Sequence, residues 1–219
     1  MKKWVDQIRL QSDHYGSQYW RYHHSGTVME LIVDTPYRKN QSEYRKAIIH
    51  VGMVLQALSD MAAKSGQTVL IQSFPSLDDL QVVAAVRIQR GHSSTNNSGA
   101  SAGSKHSSRS MFSQICAFAD KYQLHFEEIS RSEIPENTEI DPDESFKWYA
   151  LTSRFDNPFT WLRIGQWKEV VNKLMGRMDN EKMPQIITDR PALKELKSTS
   201  SRIRKNYIQG FVIVNTESV

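Results

Sequence analysis

The sequence has very little cysteine: Cys116 is the single one among 219 residues. One thiol cannot form an internal disulfide framework, and it excludes a zinc or iron–sulfur site built from several cysteines. No stretch approaches the ~18 consecutive apolar residues that a membrane-spanning helix requires. Residues 1–9 include basic side chains, but no apolar segment follows them, so they do not resemble a secretion signal. We therefore expect a cytoplasmic protein without a membrane partner.

An excess of charge of one sign is also missing. The sequence has 28 lysines and arginines and 24 aspartates and glutamates, and no run of basic residues is longer than two. Nucleic-acid binders usually carry a clustered basic stripe, so we expect no nucleic-acid partner. The formal net charge of +4 is compatible with a small ligand that bears a phosphate.

Several catalytic motifs are absent. The sequence contains no glycine-rich phosphate loop, no His-Glu-x-x-His motif and no Gly-x-Ser-x-Gly motif. His23 and His24 are neighbours in a predicted strand, so their side chains point to opposite faces and cannot hold one metal ion together. Cys116 lies on the apolar stripe of a predicted helix, where a thiol away from cations is unreactive. We therefore predict no metal site and no catalytic acid, base or nucleophile among the side chains.

Two long amphipathic helices stand out in what the sequence does contain. Apolar residues recur in steps of three and four from Ala47 to Ala62 and again from Trp161 to Met178. Ser42 is the predicted N-cap of the first helix. Strands are predicted at residues 20–23, 29–33, 69–74, 82–88, 125–129, 148–152 and 207–214, and the last is apolar enough to be buried on both faces. This alternation predicts an α+β fold.

A polar segment divides the chain into two parts. Residues 91–104 are rich in Ser, Gly and Asn and contain no large apolar side chain, so they predict a flexible linker. The linker separates a first half, residues 1–90, from a second half, residues 105–219. Each half runs from a loop through a strand and a long helix to a final strand. This common outline predicts two pseudo-repeated halves, although no repeat is visible as sequence identity.

A cluster of polar residues follows the linker immediately. Residues 105–109 read Lys-His-Ser-Ser-Arg and precede Phe112 at the start of a predicted helix. Two cations, an imidazole and two hydroxyls before a helix N-terminus are suited to hold a phosphate. The same residues are also compatible with a basic end to a polar linker. Residue chemistry alone leaves both interpretations open.

Two segments resemble motifs of the nitroreductase fold. Residues 105–112, Lys-His-Ser-Ser-Arg-Ser-Met-Phe, resemble the motif that binds the flavin phosphate in that fold. Residues 13–22, Asp-His-Tyr-Gly-Ser-Gln-Tyr-Trp-Arg-Tyr, resemble the loop that borders the flavin ring. The order of the two motifs is similar to the Acg-type branch, whose members are internally duplicated nitroreductases. Further similarities to that branch are Leu31 to Asp34, Arg38, Arg45, Gly52, Asp156-Asn157 and Trp161-Leu162-Arg163-x-Gly165.

The resemblance implies a nitroreductase-like α+β fold, with a central, mostly antiparallel sheet flanked by helices. It also implies FMN as the cofactor. Lys105, His106 and Ser107 would hold the phosphate, and Arg109 would bridge the phosphate and the ribityl chain or pyrimidine edge. Ser12 and Gln18 would flank the ring, and a backbone N–H from residues 183–187 would face the flavin N5. Two residues depart from the family pattern: Gly16 replaces the usual Asn, and Tyr19 replaces the usual Pro.

The implied activity is the NAD(P)H-dependent two-electron reduction of a nitroaromatic or quinone-type acceptor. Such enzymes need no protein acid or base, because the flavin carries the redox chemistry. Two alternatives remain open. One is a protein that binds or sequesters FMN without turnover, and the other is a flavin-free, degenerate relative that acts as an interaction module. The expected partners are FMN and NAD(P)H, and the chain is expected as a monomer with pseudo-dimeric halves or as a homodimer.

Overall fold

The computed structural model describes residues 1–76, 78–90, 111–130, 146–176, 185–188 and 206–215. The helices are Lys2–Arg9 (α1), Ser12–Tyr15 (α2), Gln41–Lys64 (α3), Met111–Lys121 (α4) and Pro158–Met175 (α5). The strands are Trp20–Ser25 (β1), Val28–Val33 (β2), Gln67–Ser73 (β3), Val82–Arg90 (β4), His125–Ile129 (β5), Phe146–Ser153 (β6), Gln185–Ile187 (β7) and Tyr207–Asn215 (β8). The predicted α+β class is confirmed, whereas the predicted linker at 91–104 lies outside the described residues.

The strands form two antiparallel sheets. Their strand orders are β1-β2-β4-β3 and β5-β6-β8-β7. Along the chain, α3 connects β2 to β3 and α5 connects β6 to β7. The resemblance implies one central sheet, but the described strands divide into one sheet for each half. Each strand pairs within its own half because shorter loops cost less entropy to close.

The two long helices join the halves. α3 and α5 cross at Gly52 and Gly165, where a Cβ on Gly165 would lie 2.8 Å from the Cα of Gly52. The helices run in the same direction, since the rings of Tyr44 and Trp161 approach on the N-terminal side of the crossing and Asp60 lies 2.6 Å from Lys173 on the other side. Glycine at both positions therefore permits the close contact on which the core is built.

Asparagine caps both long helices. The Asn40 side chain accepts a hydrogen bond from the backbone N–H of Glu43 at 3.1 Å, so the prediction of Ser42 as the N-cap is wrong by two residues. Asn40 has the extended backbone that a cap requires, whereas Ser42 already lies within the helix. α5 begins in the same way, because the Asn157 side chain accepts from the backbone N–H of Thr160 at 3.0 Å.

The two sheets differ in burial. Every residue from Ile208 to Val214 in β8 is buried, which confirms the prediction that this strand is covered on both faces. β2 instead alternates, with Met29, Leu31 and Val33 in the core and the intervening residues partly exposed. The first sheet therefore packs one face against the helices and leaves the other face accessible.

Candidate functional site

Residues 12–19 are predicted as a loop, but the structure forms the short helix α2 at their start. The backbone N–H of Tyr15 donates to the carbonyl of Gln11 at 3.1 Å, and Gly16, at φ +57°, ends the helix. The indole N–H of Trp20 donates to the carbonyl of Tyr15 at 2.9 Å and attaches the segment to β1. We call residues 12–19 the ring loop.

The ring loop contains two of the six predicted cofactor-binding residues. Ser12 is the first residue of α2, and Gln18 lies exposed in the turn after it. The other four, Lys105, His106, Ser107 and Arg109, lie outside the described residues. That these four residues lie close to the ring loop therefore remains a prediction.

A buried glutamate of the second half anchors the ring loop. Glu169 of α5 is only 1% exposed. Its Oε2 accepts from Nε2 of His14 at 2.9 Å, and its Oε1 accepts from the Tyr15 hydroxyl at 2.9 Å. Lys173, one turn further along α5, places its Nζ 2.9 Å from Oε1. The ring loop of the first half is thus fixed to the core helix of the second.

The anchor continues into a polar network across the helix crossing. Nζ of Lys173 also donates to Asp60 of α3 at 2.6 Å, and the Gln56 amide donates to Asp60 at 2.8 Å. The hydroxyl of Tyr122, in the turn after α4, donates to the Gln56 carbonyl at 2.9 Å. The network therefore joins α2, α5 and α3 to the end of α4.

Electrostatics keep the anchor ionised. Burial alone would raise the pKa of Glu169, but the hydrogen bonds from His14 and Lys173, with the charge of Lys173, lower that pKa below its usual 4.5. Burial opposes the charge of Lys173 in the same way, yet the carboxylates of Asp60 and Glu169 raise the pKa of its ammonium. Burial and the Glu169 charge raise the pKa of Tyr15 well above its usual value, so its hydroxyl remains a donor.

His50 contacts both Gly16 and Tyr19, the two residues that differ from the pattern of the resembled family. A Cβ on Gly16 would lie 2.5 Å from the imidazole of His50, so this ring fills the place of a side chain at position 16. The ring of Tyr19 stacks on His50 with centroids 5.1 Å apart, and Lys46 Nζ lies 5.1 Å from the Tyr19 centroid. The ring loop is therefore shaped around a histidine of α3.

The imidazole of His50 is neutral at physiological pH. Burial lowers its pKa below the usual 6.5; the hydrogen bond to the Lys46 carbonyl opposes this change, and the charges of Lys168 and Lys46 act with burial. Because the carbonyl of Lys46 accepts from Nδ1 at 2.9 Å, the proton is on Nδ1 and Nε2 carries the lone pair. The positive charge near His50, beneath the ring loop, therefore comes from Lys46 and Lys168 and not from His50 itself.

The middle of α4 contacts the same turn of α5 as the ring loop. The indole N–H of Trp167 donates to the carbonyl of Ile115 at 3.4 Å, only two residues before the Glu169 anchor. Phe112, at the end of the predicted phosphate motif, packs on Tyr149 with ring centroids 4.1 Å apart. One turn of α5 therefore touches both the ring loop and the helix that follows the predicted phosphate cradle.

A second contact between the halves was not foreseen from the sequence. Arg45 of α3 is 4% exposed and donates to the carbonyl of Thr188 at 2.6 Å and to that of Gln209 at 2.7 Å. Thr188 directly follows β7, one residue after residues 183–187, which are predicted to supply the backbone donor to flavin N5. Arg45 thus holds the end of β7 in place.

Cys116 is partly exposed, and burial raises its pKa to about 11, so it remains a thiol at neutral pH.

Across the described ranges, no three or more His, Cys, Asp and Glu side chains form a group that could hold a metal ion. None of the helices within those ranges is long and apolar enough to cross a membrane.

Comparison with known proteins gives no assignment. No protein-family model matches the chain, and no curated protein matches it significantly. The functional conclusion therefore depends on the residues of the chain itself.

Proposed function

We propose that the protein binds FMN between its two halves and then catalyses the NAD(P)H-dependent two-electron reduction of a nitroaromatic or quinone-type acceptor. The observation that supports this proposal is the double contact of α5. Trp167 bonds to Ile115, close behind the phosphate motif, and Glu169 bonds to His14 and Tyr15 of the ring loop. Attachment of both motifs to one helix would hold them in a fixed arrangement, which lowers the entropy cost of binding a flavin that contacts both.

The described residues of the ring loop suit a flavin. Gln18 presents an exposed carboxamide on a loop that Glu169 already holds in place, which lowers the entropy cost of binding. The charges of Lys46 and Lys168 surround His50 beneath this loop. Positive charge suits an isoalloxazine ring, because the ring gains negative charge when it is reduced. Gly16 supplies no side-chain contact, so the affinity must come from the remaining residues.

Each predicted residue then has a defined task. Lys105, His106 and Ser107 hold the phosphate through charge-assisted hydrogen bonds, and Arg109 extends this contact toward the ribityl chain or the pyrimidine edge. Ser12 and Gln18 border the ring. Bound FMN supplies the transfer of two electrons between nicotinamide and acceptor. The protein residues position the ring and hold the ring loop against it.

The main alternative is a flavin-free relative that acts as an interaction module. The packing of His50 against Gly16 favours it, because the ring loop lacks the amide that reads the flavin edge in the resembled family. Sequestration of FMN without turnover would need the same phosphate and ring contacts as the enzyme. It differs from the enzyme only in the absence of activity.

The absorption spectrum of the purified protein tests flavin binding. We expect flavin bands, and we expect Lys105→Ala combined with Arg109→Ala to remove them. Each lost hydrogen bond to a charged group costs about 1.5–3 kcal/mol, enough to empty a modest site. Lys2→Ala with Lys3→Ala is the matched control, since it removes two lysines from the exposed face of α1. No bound flavin after reconstitution with FMN, or equal flavin in both variants, would contradict the proposal.

Turnover separates the enzyme from the sequestering protein. The FMN-loaded protein should oxidise NADPH or NADH when a quinone or nitroaromatic acceptor is present. Tight FMN binding with no oxidation of either nicotinamide would instead support sequestration. The double variant at Lys105 and Arg109 controls for contaminating reductases, because it should lose activity together with flavin.

A further inference from the structure

Three of the four sheet edges in the described part of the chain are poorly suited to pair with another strand. β1 carries Arg21, His23 and His24, and β5 carries His125 with two glutamates. β7 is only three residues long. Charged or very short edge strands are the usual protection against pairing between molecules. These three edges therefore have that protection.

β3 is the exception. Its seven residues, Gln-Thr-Val-Leu-Ile-Gln-Ser, contain neither charge nor proline. They pair with β4 in unbroken register, so the strand has no bulge to turn its edge away. Its other edge has no partner among the described strands. Leu70, the central residue, is 45% exposed beside a shallow groove of about 360 Å³ that Val28 and Ala85 also line.

We propose that β3 pairs with β3 of a second copy of this chain, so that two first sheets form one continuous eight-stranded sheet. A two-fold axis perpendicular to the sheet makes the strands antiparallel and places one residue opposite itself. Leu70 is the centre of β3, so an axis at Leu70 lets all seven residues pair. Val69 then faces Ile71 of the other copy, a β-branched pair of the kind that stabilises sheets.

Pairing of β3 with itself would bring no charged side chains together. With the axis at Leu70, Thr68 of one copy faces Gln72 of the other, and Gln67 faces Ser73. No charged side chains therefore meet along the new edge. Arg87 lies beside Leu70 on β4. Three strand spacings would separate the two copies of Arg87 by about 14 Å, which exceeds the screening length of about 8 Å at physiological salt. A second copy supplies this uncharged strand without any other partner, and the inference is independent of flavin binding.

Light scattering coupled to size exclusion tests the pairing. Wild type should have twice the chain mass of 25.2 kDa. Leu70→Lys should reduce the mass to one chain, because two ammonium groups would meet on the axis. Leu10→Lys is the matched control and should remain dimeric, since Leu10 is 87% exposed at the end of α1 and is not part of β3. A monomeric wild type at the highest soluble concentration, or a dimeric Leu70→Lys variant, would overturn the proposal.

Cross-linking provides a second test that does not depend on the folding of the lysine variant. In a Cys116→Ser background, Leu70→Cys places two thiols opposite each other on the axis. Directly opposed residues in antiparallel strands have Cα atoms about 4.5–5.5 Å apart, within the range of a disulfide. We expect a covalent dimer on mild oxidation of dilute Leu70→Cys protein and none with Leu10→Cys. Equal cross-linking of the two variants would refute the β3 interface.

Discussion

Gly52 of α3 and Gly165 of α5 face each other so closely that a Cβ on either one would collide with the backbone of the opposite helix. A Cβ on Gly165 would meet the carbonyl of Ile49, and one on Gly52 would meet the carbonyl of Leu162. Backbone atoms cannot move aside as a flexible side chain can. Glycine at both positions therefore allows the helices to approach this closely.

Gly165→Ala should lower the free energy of unfolding, although alanine is normally the better helix former by about 1 kcal/mol. The added methyl must push the helices apart, and overpacking of this kind typically costs about 1–3 kcal/mol. Urea unfolding measures the change. Gly176→Ala is the control at the end of the same helix, where φ is −60° and the Cβ would stay 3.4 Å from its nearest neighbour. Equal stability of the two variants would contradict the tight crossing.

Glu169→Gln should weaken the attachment of the ring loop. The amide keeps the shape of the carboxylate but loses its charge, and hydrogen bonds to charged groups are worth about 1.5–3 kcal/mol. We expect a lower free energy of unfolding and faster hydrogen exchange in residues 12–19. Asp34→Asn is the control, because the Arg21–Asp34 pair is exposed and such pairs contribute about 0–1 kcal/mol. Unchanged exchange in the ring loop would show that Glu169 does not anchor it.

Acid should remove the contribution of Glu169. The pKa of this carboxyl lies below 4.5 in the folded protein and returns to the ordinary value on unfolding. The stabilisation is therefore complete above pH 4.5 and is lost as the pH falls through the folded pKa. His14, Tyr15 and Lys173 contact the carboxylate directly, and the carboxylate of Asp60 faces it from α3 across Lys173. The free energy of unfolding should therefore fall less steeply below pH 4.5 in Glu169→Gln than in wild type, and identical slopes would contradict this.

Gly16→Asn restores the residue type of the resembled family and should still destabilise the protein. Asparagine tolerates a φ of +57°, but its Cβ would press on the His50 ring. Removing that ring with His50→Ala should relieve part of the cost, so the double variant should be more stable than the sum of the single changes. Gly26→Asn is the control, since it has φ +56° and nothing within 4 Å of its Cβ. Strict additivity would show that His50 does not restrict position 16.

Arg45→Lys should destabilise the contact between α3 and the second sheet. One ammonium cannot reproduce the fork of a guanidinium that donates to both Thr188 and Gln209. A buried carbonyl left without a donor costs about 1–3 kcal/mol. Urea unfolding should show a loss in this range, whereas Arg21→Lys on the exposed face of β1 should change little. If both variants have the same free energy of unfolding, the hydrogen bonds from Arg45 to Thr188 and Gln209 are not important for stability.

Much of the local structure could be predicted from the sequence. The apolar stripes identify α3 and α5 because helical periodicity repeats many times within each segment. The apolar run in β8 predicts burial on both faces, and β8 is buried throughout residues 208–214. Shorter signals were less reliable. Ser42 and Asn40 are both good capping residues, and α2 has only four residues, too few for a periodic pattern.

The candidate site was less predictable. Ser12 and Gln18 were chosen by resemblance, and both lie on the ring loop. Glu169 was missed because a single glutamate on an amphipathic helix is expected on the solvated face. Only the position of α2 buries it against His14 and Tyr15, more than 150 residues away in sequence. Arg45 was noted for its resemblance alone, and its partners likewise belong to the other half.

The sequence by itself determined the α+β class, the two long helices and most of the strands, because burial of a helix or strand face leaves a local pattern in the chain. Tertiary structure decided which polar residues meet, which glycines touch and which strand has an unprotected edge. These contacts join residues far apart in the chain. Their formation depends on how the packed helices and sheets are oriented, and local periodicity carries no information about that orientation.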